Sequence, residues 1–388
     1  MKPFCSGRQC ARPIWICALL AFLMLGTAPQ YVAAAVLPEE RADALYHSYH
    51  GGGVEITGPS LSLVKHVGNK AAASVNYYVD SISSASIDVV TTASPYEERR
   101  EEVSAGVQYL EGDSLVKLSY THSGENDFVA NSARLGFSQE MFGNLTTLSI
   151  GYSRGWDEVG TRASPSADQA ERNQYRLGLS QVLTKNLLLD AGLETITDEG
   201  YLNNPYRSVR FINSDDRKGY SHQSEAYPRT RTSNAFALRP IYYLPYRAAV
   251  YVEYRIFSDS WGIGASNWEL GYRHPWRENW VLDVSYRHYE QTAADFYQDL
   301  FPYRDAQNYL ARDKELSTFT SNALGFKVSY AFLRNWNSVR KSTLNLSYRY
   351  IQYDYDDFRD LRVSATPGQE PLYSFSANVV QLFLSVWY

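Results

Sequence analysis

The fold is decided by one alternating stretch, Ala248-Ala249-Val250-Tyr251-Val252-Glu253-Tyr254-Arg255-Ile256. Its even-numbered positions are apolar or aromatic, whereas Glu253 and Arg255 occupy odd-numbered positions. Successive side chains of a β-strand point to opposite faces, so this two-residue period predicts a strand with one apolar and one polar face.

The same alternation recurs along the rest of the chain, in residues 187–194, 280–287, 323–330 and 344–350. A Lys or Arg on the lipid face of a barrel at the bilayer midplane would cost roughly 2–4 kcal/mol, and the charged residues of these strands all avoid the apolar set. We therefore predict that the apolar set faces lipid and the polar set faces an enclosed lumen. A soluble sandwich, with the apolar set packed against a second sheet, is the alternative. The predicted lumen-lining residues are Lys117, Arg134, Arg176, Asp190, Glu194, Glu253, Arg255, Glu269, Arg273, Asp283, Arg287, Lys327 and Arg349.

The C-terminus carries the most specific signal in the chain. Counting back from the last residue, an apolar or aromatic side chain recurs at every second position, namely Tyr388, Val386, Leu384, Leu382 and Val380. This pattern is similar to the terminal β-signal that outer-membrane proteins present to the barrel-assembly machinery. We therefore interpret these five residues as an assembly signal on the final strand.

The connections between strands alternate in length. Tight turns are centred on residues 111–113, 142–144, 184–186, 245–247 and 334–336, and longer polar segments lie near residues 81–100, 157–171, 198–232, 291–316 and 355–373. In outer-membrane barrels the short turns lie on the periplasmic side and the long loops outside. The sequence therefore predicts an all-β fold, a transmembrane antiparallel up-and-down β-barrel of about 16 strands, with 14 as the alternative. Tryptophans near the periplasmic turns and the chain end are predicted to form an aromatic girdle at headgroup level: Trp276, Trp280, Trp336 and Trp387.

The N-terminus is typical of an export signal, with three basic residues before an apolar core and small residues at Ala33-Ala34-Ala35. Residues 1–35 are the predicted signal peptide, which indicates the outer membrane of a Gram-negative bacterium when combined with the strand pattern. Residues 36–52 are predicted to be an N-terminal periplasmic or lumenal segment, and residues 53–388 the barrel. The beginning of the barrel is hard to place because Gly58 and Pro59 interrupt any strand through this region.

Composition excludes several classes of function. All three cysteines, Cys5, Cys10 and Cys17, lie in the predicted signal peptide, so the mature chain has no thiolate for catalysis or metal binding. Removal of the three basic residues of that peptide leaves 34 basic against 42 acidic residues, a formal charge of −8. Such a chain lacks the basic face that a nucleic-acid partner requires.

Several short stretches resemble a family of proteobacterial outer-membrane proteins catalogued as domain of unknown function 3570. The resemblance covers essentially the whole mature chain, and the stretches that carry it are Gly51-Gly52-Gly53 with Gly58-Pro59, Asn76-Tyr77-Tyr78-Val79-Asp80, Ser86-Ile87-Asp88-Val89-Val90, Gly151-Tyr152-Ser153-Arg154-Gly155, Asn204-Pro205-Tyr206-Arg207-Ser208-Val209 and Tyr227-Pro228-Arg229-Thr230-Arg231-Thr232. It implies a barrel in the outer membrane and no catalytic residues. It also implies a redox-linked envelope role with a periplasmic redox partner, because relatives lie near genes for thioredoxin-like and flavin-transferring proteins.

The sequence contains no phosphate-binding glycine loop, zinc pattern or nucleophile elbow, and we predict no cofactor, metal site or catalytic residue. His122, His274 and His288 fall on the apolar face at strand ends, where interfacial packing is the favoured interpretation and a general base for lipid chemistry the alternative. His47 and His50 precede the glycine triplet at a spacing that would suit a metal, although a solvated segment is favoured. The long segment 198–232 would narrow the lumen if it folds inward and is exposed surface if it folds outward.

Three functions follow from these patterns. The leading hypothesis is a porin-like channel for small hydrophilic solutes, because about 16 strands leave an aqueous lumen unless something fills it. The second is a non-conducting barrel whose loops bind an envelope or redox partner, and the third is an outer-membrane lipid-acting enzyme. In each case the expected partners are outer-membrane lipid, lipopolysaccharide and the barrel-assembly machinery, with a homo-oligomer as a further expectation.

Overall fold

A computed structural model of the protein describes residues 35–84, 96–161, 164–336 and 338–388. Sixteen antiparallel strands close into one barrel, and a separate two-stranded hairpin, β10 with β11, lies outside the barrel wall. The barrel strands are β1 (Arg41–Gly51), β2 (Val54–Val67), β3 (Ala71–Ser84), β4 (Tyr96–Glu111), β5 (Ser114–Gly124), β6 (Phe128–Met141), β7 (Thr146–Thr161), β8 (Ser164–Thr184), β9 (Leu187–Gly200), β12 (Thr230–Tyr243), β13 (Ala249–Asp259), β14 (Gly264–Trp276), β15 (Trp280–Gln291), β16 (Phe319–Trp336), β17 (Val339–Arg359) and β18 (Leu372–Trp387). The hairpin strands are β10 (Ser208–Ile212) and β11 (Tyr220–Ser224).

The barrel closes between its first and last strands. β1 pairs antiparallel with β18 from Arg41 opposite Trp387 to Gly51 opposite Ala377, and β1 also pairs with β2. The predicted all-β barrel of 16 strands is therefore confirmed, and a two-sheet sandwich is excluded because the single sheet closes on itself.

The N-terminal boundary of the barrel was wrong by one strand. Residues 36–52 were expected to precede the barrel, but most of them form β1 and belong to its wall. Gly52 and Gly53 adopt positive φ angles and form the β1–β2 turn. The predicted signal peptide, residues 1–35, lies outside the described residues except for Ala35.

Gly58 and Pro59 interrupt the ladder without ending the strand. The β2–β3 register passes from Thr57 opposite Ser81 directly to Ser60 opposite Tyr78. A β-carbon on Gly58 would lie 1.7 Å from the carbonyl oxygen of Val79, so only glycine fits there. The proline therefore lies at a local irregularity where its missing N–H is tolerated.

The two faces of the wall differ as the alternation requires. On the outer face, Val107, Leu118 and Leu135 lie side by side across β4, β5 and β6 with 53%, 58% and 51% of their surfaces exposed. A continuous belt of exposed apolar side chains around a barrel is stable only against lipid.

The two ends of the barrel differ in their connections. Short turns join the strands at the end where the chain begins and finishes, which we call the periplasmic end. The turn predicted at residues 334–336 is misplaced, because β16 runs to Trp336 and β17 begins at Val339. The long connections all lie at the opposite, extracellular end, which also has short turns such as Gly52-Gly53 between β1 and β2. Among the described residues, the one helix is the 3-10 turn Lys314–Leu316, and no helix is long and apolar enough to cross a membrane.

Candidate functional site

The structure places all thirteen charged residues of the predicted lumen set on the inner face of the wall. Each lies between outward-facing neighbours on its strand, as Arg176 does between Tyr175 and Leu177, which are 51% and 44% exposed to the lipid side. The residues are Lys117, Arg134, Arg176, Asp190, Glu194, Glu253, Arg255, Glu269, Arg273, Asp283, Arg287, Lys327 and Arg349.

Part of this inner charge forms ion pairs across neighbouring strands. Arg176 Nε lies 2.7 Å from a Glu194 carboxylate oxygen, and Arg255 Nη2 lies 3.4 Å from the other oxygen of Glu194. Arg273 and Asp283 approach to 2.6 Å on β14 and β15. Cross-strand pairs of this kind stabilise the wall and neutralise much of the lumen charge locally.

The sequence analysis missed further charged residues of the lumen, among them Arg172, Asp198 and Arg239. Arg172 and Asp198 pair at 2.6 Å on β8 and β9, and Arg239 lies 3.9 Å from Glu253. Asp198 was assigned to a loop, since β9 and β12 extend further than the alternation indicated. Arg239 was not among the predicted residues, and the structure places it on β12 directly before Pro240.

A cavity of about 510 Å³ occupies the lumen against one part of the wall, from β3 to β13. Small residues line this wall, including Gly136, Gly151, Gly178 and Gly192 on adjacent strands. Because they have no side chain, they leave space in front of the neighbouring lysine and arginine side chains.

The other part of the wall is apolar on its inner side near the extracellular end. Tyr49, Ile56, Ile82, Ile351 and Ala377 form one buried cluster there across β1, β2, β3, β17 and β18. Near the extracellular end the lumen is therefore asymmetric, because an apolar cluster fills one side of it.

Three long connections form a packed cap at the extracellular mouth. The cap consists of residues 201–229, 292–318 and 360–371, and it includes the β10–β11 hairpin. Tyr227 and Phe296 from the cap pack with Trp261 against the lumen-facing Phe319 and Tyr355. The cap is therefore seated on the inner face of the apolar wall.

A buried ion-pair cluster ties the three connections together. The fully buried Arg210 binds Glu370, with Nη1 to Oε1 at 2.5 Å, and also contacts the carboxylate of Asp299. Arg312 lies 2.9 Å from Asp299 and stacks on the ring of Phe358 at 4.4 Å. These contacts join the connection after β9 to the connections after β15 and β17.

The cap crosses the mouth. Four strands, β13 to β16, separate β12 from β17 in the closed sheet, yet Arg210 bridges their connections. On the other side, the hydroxyl of Tyr206 donates a 2.5 Å hydrogen bond to Asp127 in the β5–β6 turn. Of the two alternatives for residues 198–232, the structure therefore shows a segment packed over the mouth rather than an exposed loop.

A polar cluster lies at the rim beside the cap. His47 Nε2 lies 2.7 Å from an oxygen of the fully buried Asp80, and its ring stacks on Tyr78. His50 lies on the opposite, outward face of β1, so His47 and His50 do not share a site.

In the β5–β6 turn, burial together with the charge of Glu98 raises the pKa of Glu125 to about 7.

The lipid-side histidines meet amides. His122 Nδ1 lies 2.9 Å from Asn131 Oδ1, and His288 Nδ1 lies 2.9 Å from Asn322 Oδ1. His274 pairs with the hydroxyl of Tyr272 at 3.0 Å. These contacts are those of interfacial packing, and in none of them does an imidazole meet a serine hydroxyl.

The four girdle tryptophans do not share one placement. Trp276 and Trp280 lie opposite each other on the outer face at the periplasmic end, with ring centroids 6.5 Å apart. Trp387 instead follows the lumen-facing positions of β18, with the ammonium of Lys341 4.9 Å from its ring centroid, which corrects its assignment to the girdle. The prediction relied on closeness to the chain end and ignored the alternation. The side chain of Trp336 lies outside the described part of the chain.

The predicted assembly signal lies on the seam of the barrel. Val380, Leu382 and Leu384 are exposed on the outer face of β18, whereas the hydroxyl of Tyr388 donates to the backbone carbonyl of Val64 at 3.0 Å. The terminal aromatic ring thus anchors the last strand to β2, across β1.

Comparisons with known proteins give a family and no activity. A family model described as "Protein of unknown function (DUF3570)" matches residues 156–356. No curated protein matches the chain.

Solved structures are similar only in outline. A bacterial polysaccharide outer membrane secretin is 10% identical, with 91% of this chain and 100% of that chain covered and a TM-score of 0.48. The siderophore receptor PirA from Pseudomonas aeruginosa is 13% identical, with 90% and 63% covered and a TM-score of 0.43. The outer membrane protein OmpT of Vibrio cholerae, in a form lacking loop L8, is 9% identical, with 90% and 98% covered and a TM-score of 0.40.

Proposed function

The chain belongs to the DUF3570 family of proteins of unknown function, and from that premise we propose that it is a porin-like channel for small hydrophilic solutes in the bacterial outer membrane. The observation that carries the proposal is the cavity of about 510 Å³ against the wall from β3 to β13, which has eight charged side chains in its lining. A soluble or purely structural barrel has no need to keep charged side chains around an internal space of this size.

The outer-membrane location rests on the outer face of the barrel. Exposed Val107, Leu118 and Leu135 belong to an apolar belt that lipid would cover, and the C-terminal alternation fits delivery by the barrel-assembly machinery. The extracellular cap would then face lipopolysaccharide and the medium.

The cap makes the proposed channel a restricted one. Because its three connections are joined across the mouth by Arg210, solutes would enter beside the cap rather than through a wide opening. Selection would follow size and charge in the lumen, with no chemical step, and we propose a non-enzymatic role.

Single-channel recording tests this proposal. The purified full chain, refolded in detergent, is added to a planar lipid bilayer, and discrete conductance steps are expected. Ala237→Trp places an indole in the cavity and should lower the conductance, whereas Leu238→Trp places the same ring on the lipid face of the same strand and should not. A closed trace at every voltage, or equal conductance of the two variants, contradicts the proposal.

A second candidate function is a non-conducting barrel that binds a partner through its cap. The packed cap favours it, because Tyr303 and Tyr309 are 61% and 46% exposed on a segment that the ion-pair cluster holds in place. This function predicts a closed bilayer trace together with co-purification of one defined envelope or redox partner. Loss of that partner on Tyr303→Ala with Tyr309→Ala would support the binding function over the channel.

A further inference from the structure

The charges around the lumen cavity identify the class of solute. We propose that the cavity binds small oxyanions, carboxylates and phosphates, and passes anions in preference to cations. This inference rests on the proposed channel function and names the substrate class of the same lumen.

Cations outnumber acids around the cavity. The lining includes three acids, Asp190, Glu194 and Glu253. It includes five cations, namely Lys117, Arg134, Arg176, Arg239 and Arg255. The cavity therefore carries a positive excess, although the mature chain as a whole is acidic.

The acids of the cavity are already engaged. Glu194 holds both Arg176 and Arg255, at 2.7 and 3.4 Å. The hydroxyl of Ser180 donates to Asp190 at 2.6 Å. Arg239 lies directly opposite Asp190 in the β9–β12 register and 3.9 Å from Glu253, so it lies between the two remaining acids.

Two cations remain without a carboxylate. Within the described residues, neither Lys117 on β5 nor Arg134 on β6 forms an ion pair, and both line the cavity. Unpaired cations in a cavity whose acids are all engaged favour the binding of an anionic ligand.

The neighbours of these two cations leave them accessible. Gly136 lies opposite Lys117 in the β5–β6 register, and Ser119 and Ser153 lie on either side of Arg134. Small residues let the long side chains extend into the cavity, and the serine hydroxyls add hydrogen-bond donors. A guanidinium fork, an ammonium and hydroxyl donors together suit the oxygens of a carboxylate or phosphate.

Nearer the rim, Glu102 pairs with Arg100 at 2.8 Å, so its charge is balanced locally. Even at the dielectric constant of water, a unit charge 4 Å from a passing ion changes its local concentration about fivefold. Two unpaired cations are therefore enough to make the lumen prefer anions.

Reversal potentials across a planar bilayer with a gradient of potassium chloride test the proposal. Low salt is used on both sides, because at about 0.01 M the Debye length of about 30 Å leaves the charges unscreened. The unmodified protein should pass chloride in preference to potassium, and inorganic phosphate should reduce the chloride current. Lys117→Gln with Arg134→Gln should lower the chloride-to-potassium permeability ratio by about fivefold or more and abolish the effect of phosphate.

A matched control separates a local from a general effect of charge. Arg277 lies in a periplasmic turn, with its guanidinium 4.8 Å from the ring centroid of the outward Trp276, and Arg277→Gln should leave the ratio unchanged. Lys117→Arg should keep the preference for anions, and all variants are first checked for the heat-dependent gel shift of a folded barrel. A conducting protein that prefers cations, or a double variant with an unchanged ratio, overturns the oxyanion site and leaves the channel standing. A protein that never conducts overturns both.

Discussion

Introducing an arginine on one or the other face of β5 tests whether the outer face of the barrel contacts lipid or water. Leu118 lies near the middle of the outer apolar belt, 58% exposed, with exposed Val107 and Leu135 beside it. Thr121, three residues along, faces the lumen between Ser104 and Ser132. Leu118→Arg therefore places a guanidinium in lipid, and Thr121→Arg places the same group in an aqueous interior.

The expected magnitudes differ clearly. An arginine at the bilayer midplane of a barrel costs about 2–4 kcal/mol, whereas a lumen position near neutral side chains costs about 0–1 kcal/mol. Because each outer neighbour of Leu118 is also apolar, no acidic partner on the lipid face offsets the charge.

Equilibrium unfolding in lipid vesicles measures both variants. The unmodified chain and each variant are refolded into vesicles, and the free energy of unfolding in denaturant is followed by tryptophan fluorescence. The difference between the variants should be at least about 1 kcal/mol, with Leu118→Arg the less stable. If Thr121→Arg destabilises the barrel as much as Leu118→Arg, the assignment of faces is refuted.

Three further predictions concern the cap, the rim and the close contact between β2 and β3. Arg210→Met leaves Glu370 buried without its cation, which should cost about 3–5 kcal/mol, open the cap and speed proteolysis of residues 201–229 in intact outer membranes. Because the pKa of Glu125 is raised to about 7, its carboxyl is protonated below that pH and ionises as the pH rises, so the anion current should fall from about pH 6 to about pH 8, and Glu125→Gln should remove this dependence in bilayer recordings. Gly58→Ala should destabilise the barrel by about 1–3 kcal/mol in denaturant unfolding, because its β-carbon would overlap the carbonyl oxygen of Val79.

Each of these predictions has an opposing result. If the cap of the Arg210→Met variant resists protease as well as the cap of the unmodified protein, the ion-pair cluster does not hold the cap in place. A current whose pH dependence survives Glu125→Gln would assign the titration to another group, and an unchanged unfolding midpoint for Gly58→Ala would show that the backbone can move away from Val79.

The sequence predicted the two faces of the barrel wall well, because the side to which each residue points is a local property of its strand. The alternation around Glu253 and Arg255 fixes which side chains point inward, whatever the neighbouring strands are. β1 was missed because Gly58 and Pro59 interrupt the alternation in β2. The structure shows that this irregularity depends on β3, where Val79 lies close to Gly58. That contact joins residues far apart in the chain, and no pattern of either segment contains it.

The cap could not be predicted for a similar reason. Arg210 is one of several arginines in a long polar segment, and nothing nearby distinguishes it from an exposed residue. Its partners Asp299 and Glu370 come from two other connections, and its burial appears only when the closed barrel brings all three together. The unpaired state of Lys117 and Arg134 likewise depends on the pairing of their neighbours across strands.

Cysteine scanning along β17 tests the central claim most directly, and the absence of cysteine from residues 36–388 makes each introduced thiol unique. Single cysteines are placed from Leu344 to Tyr350, and the folded barrel in lipid is treated with a water-soluble and with a lipid-soluble maleimide. The account predicts a two-residue alternation, with positions 345, 347 and 349 labelled from the aqueous lumen and positions 344, 346, 348 and 350 labelled from the lipid. Uniform labelling by the water-soluble reagent, or no labelling by it at the inward positions, would contradict a polar lumen enclosed by a lipid-facing wall.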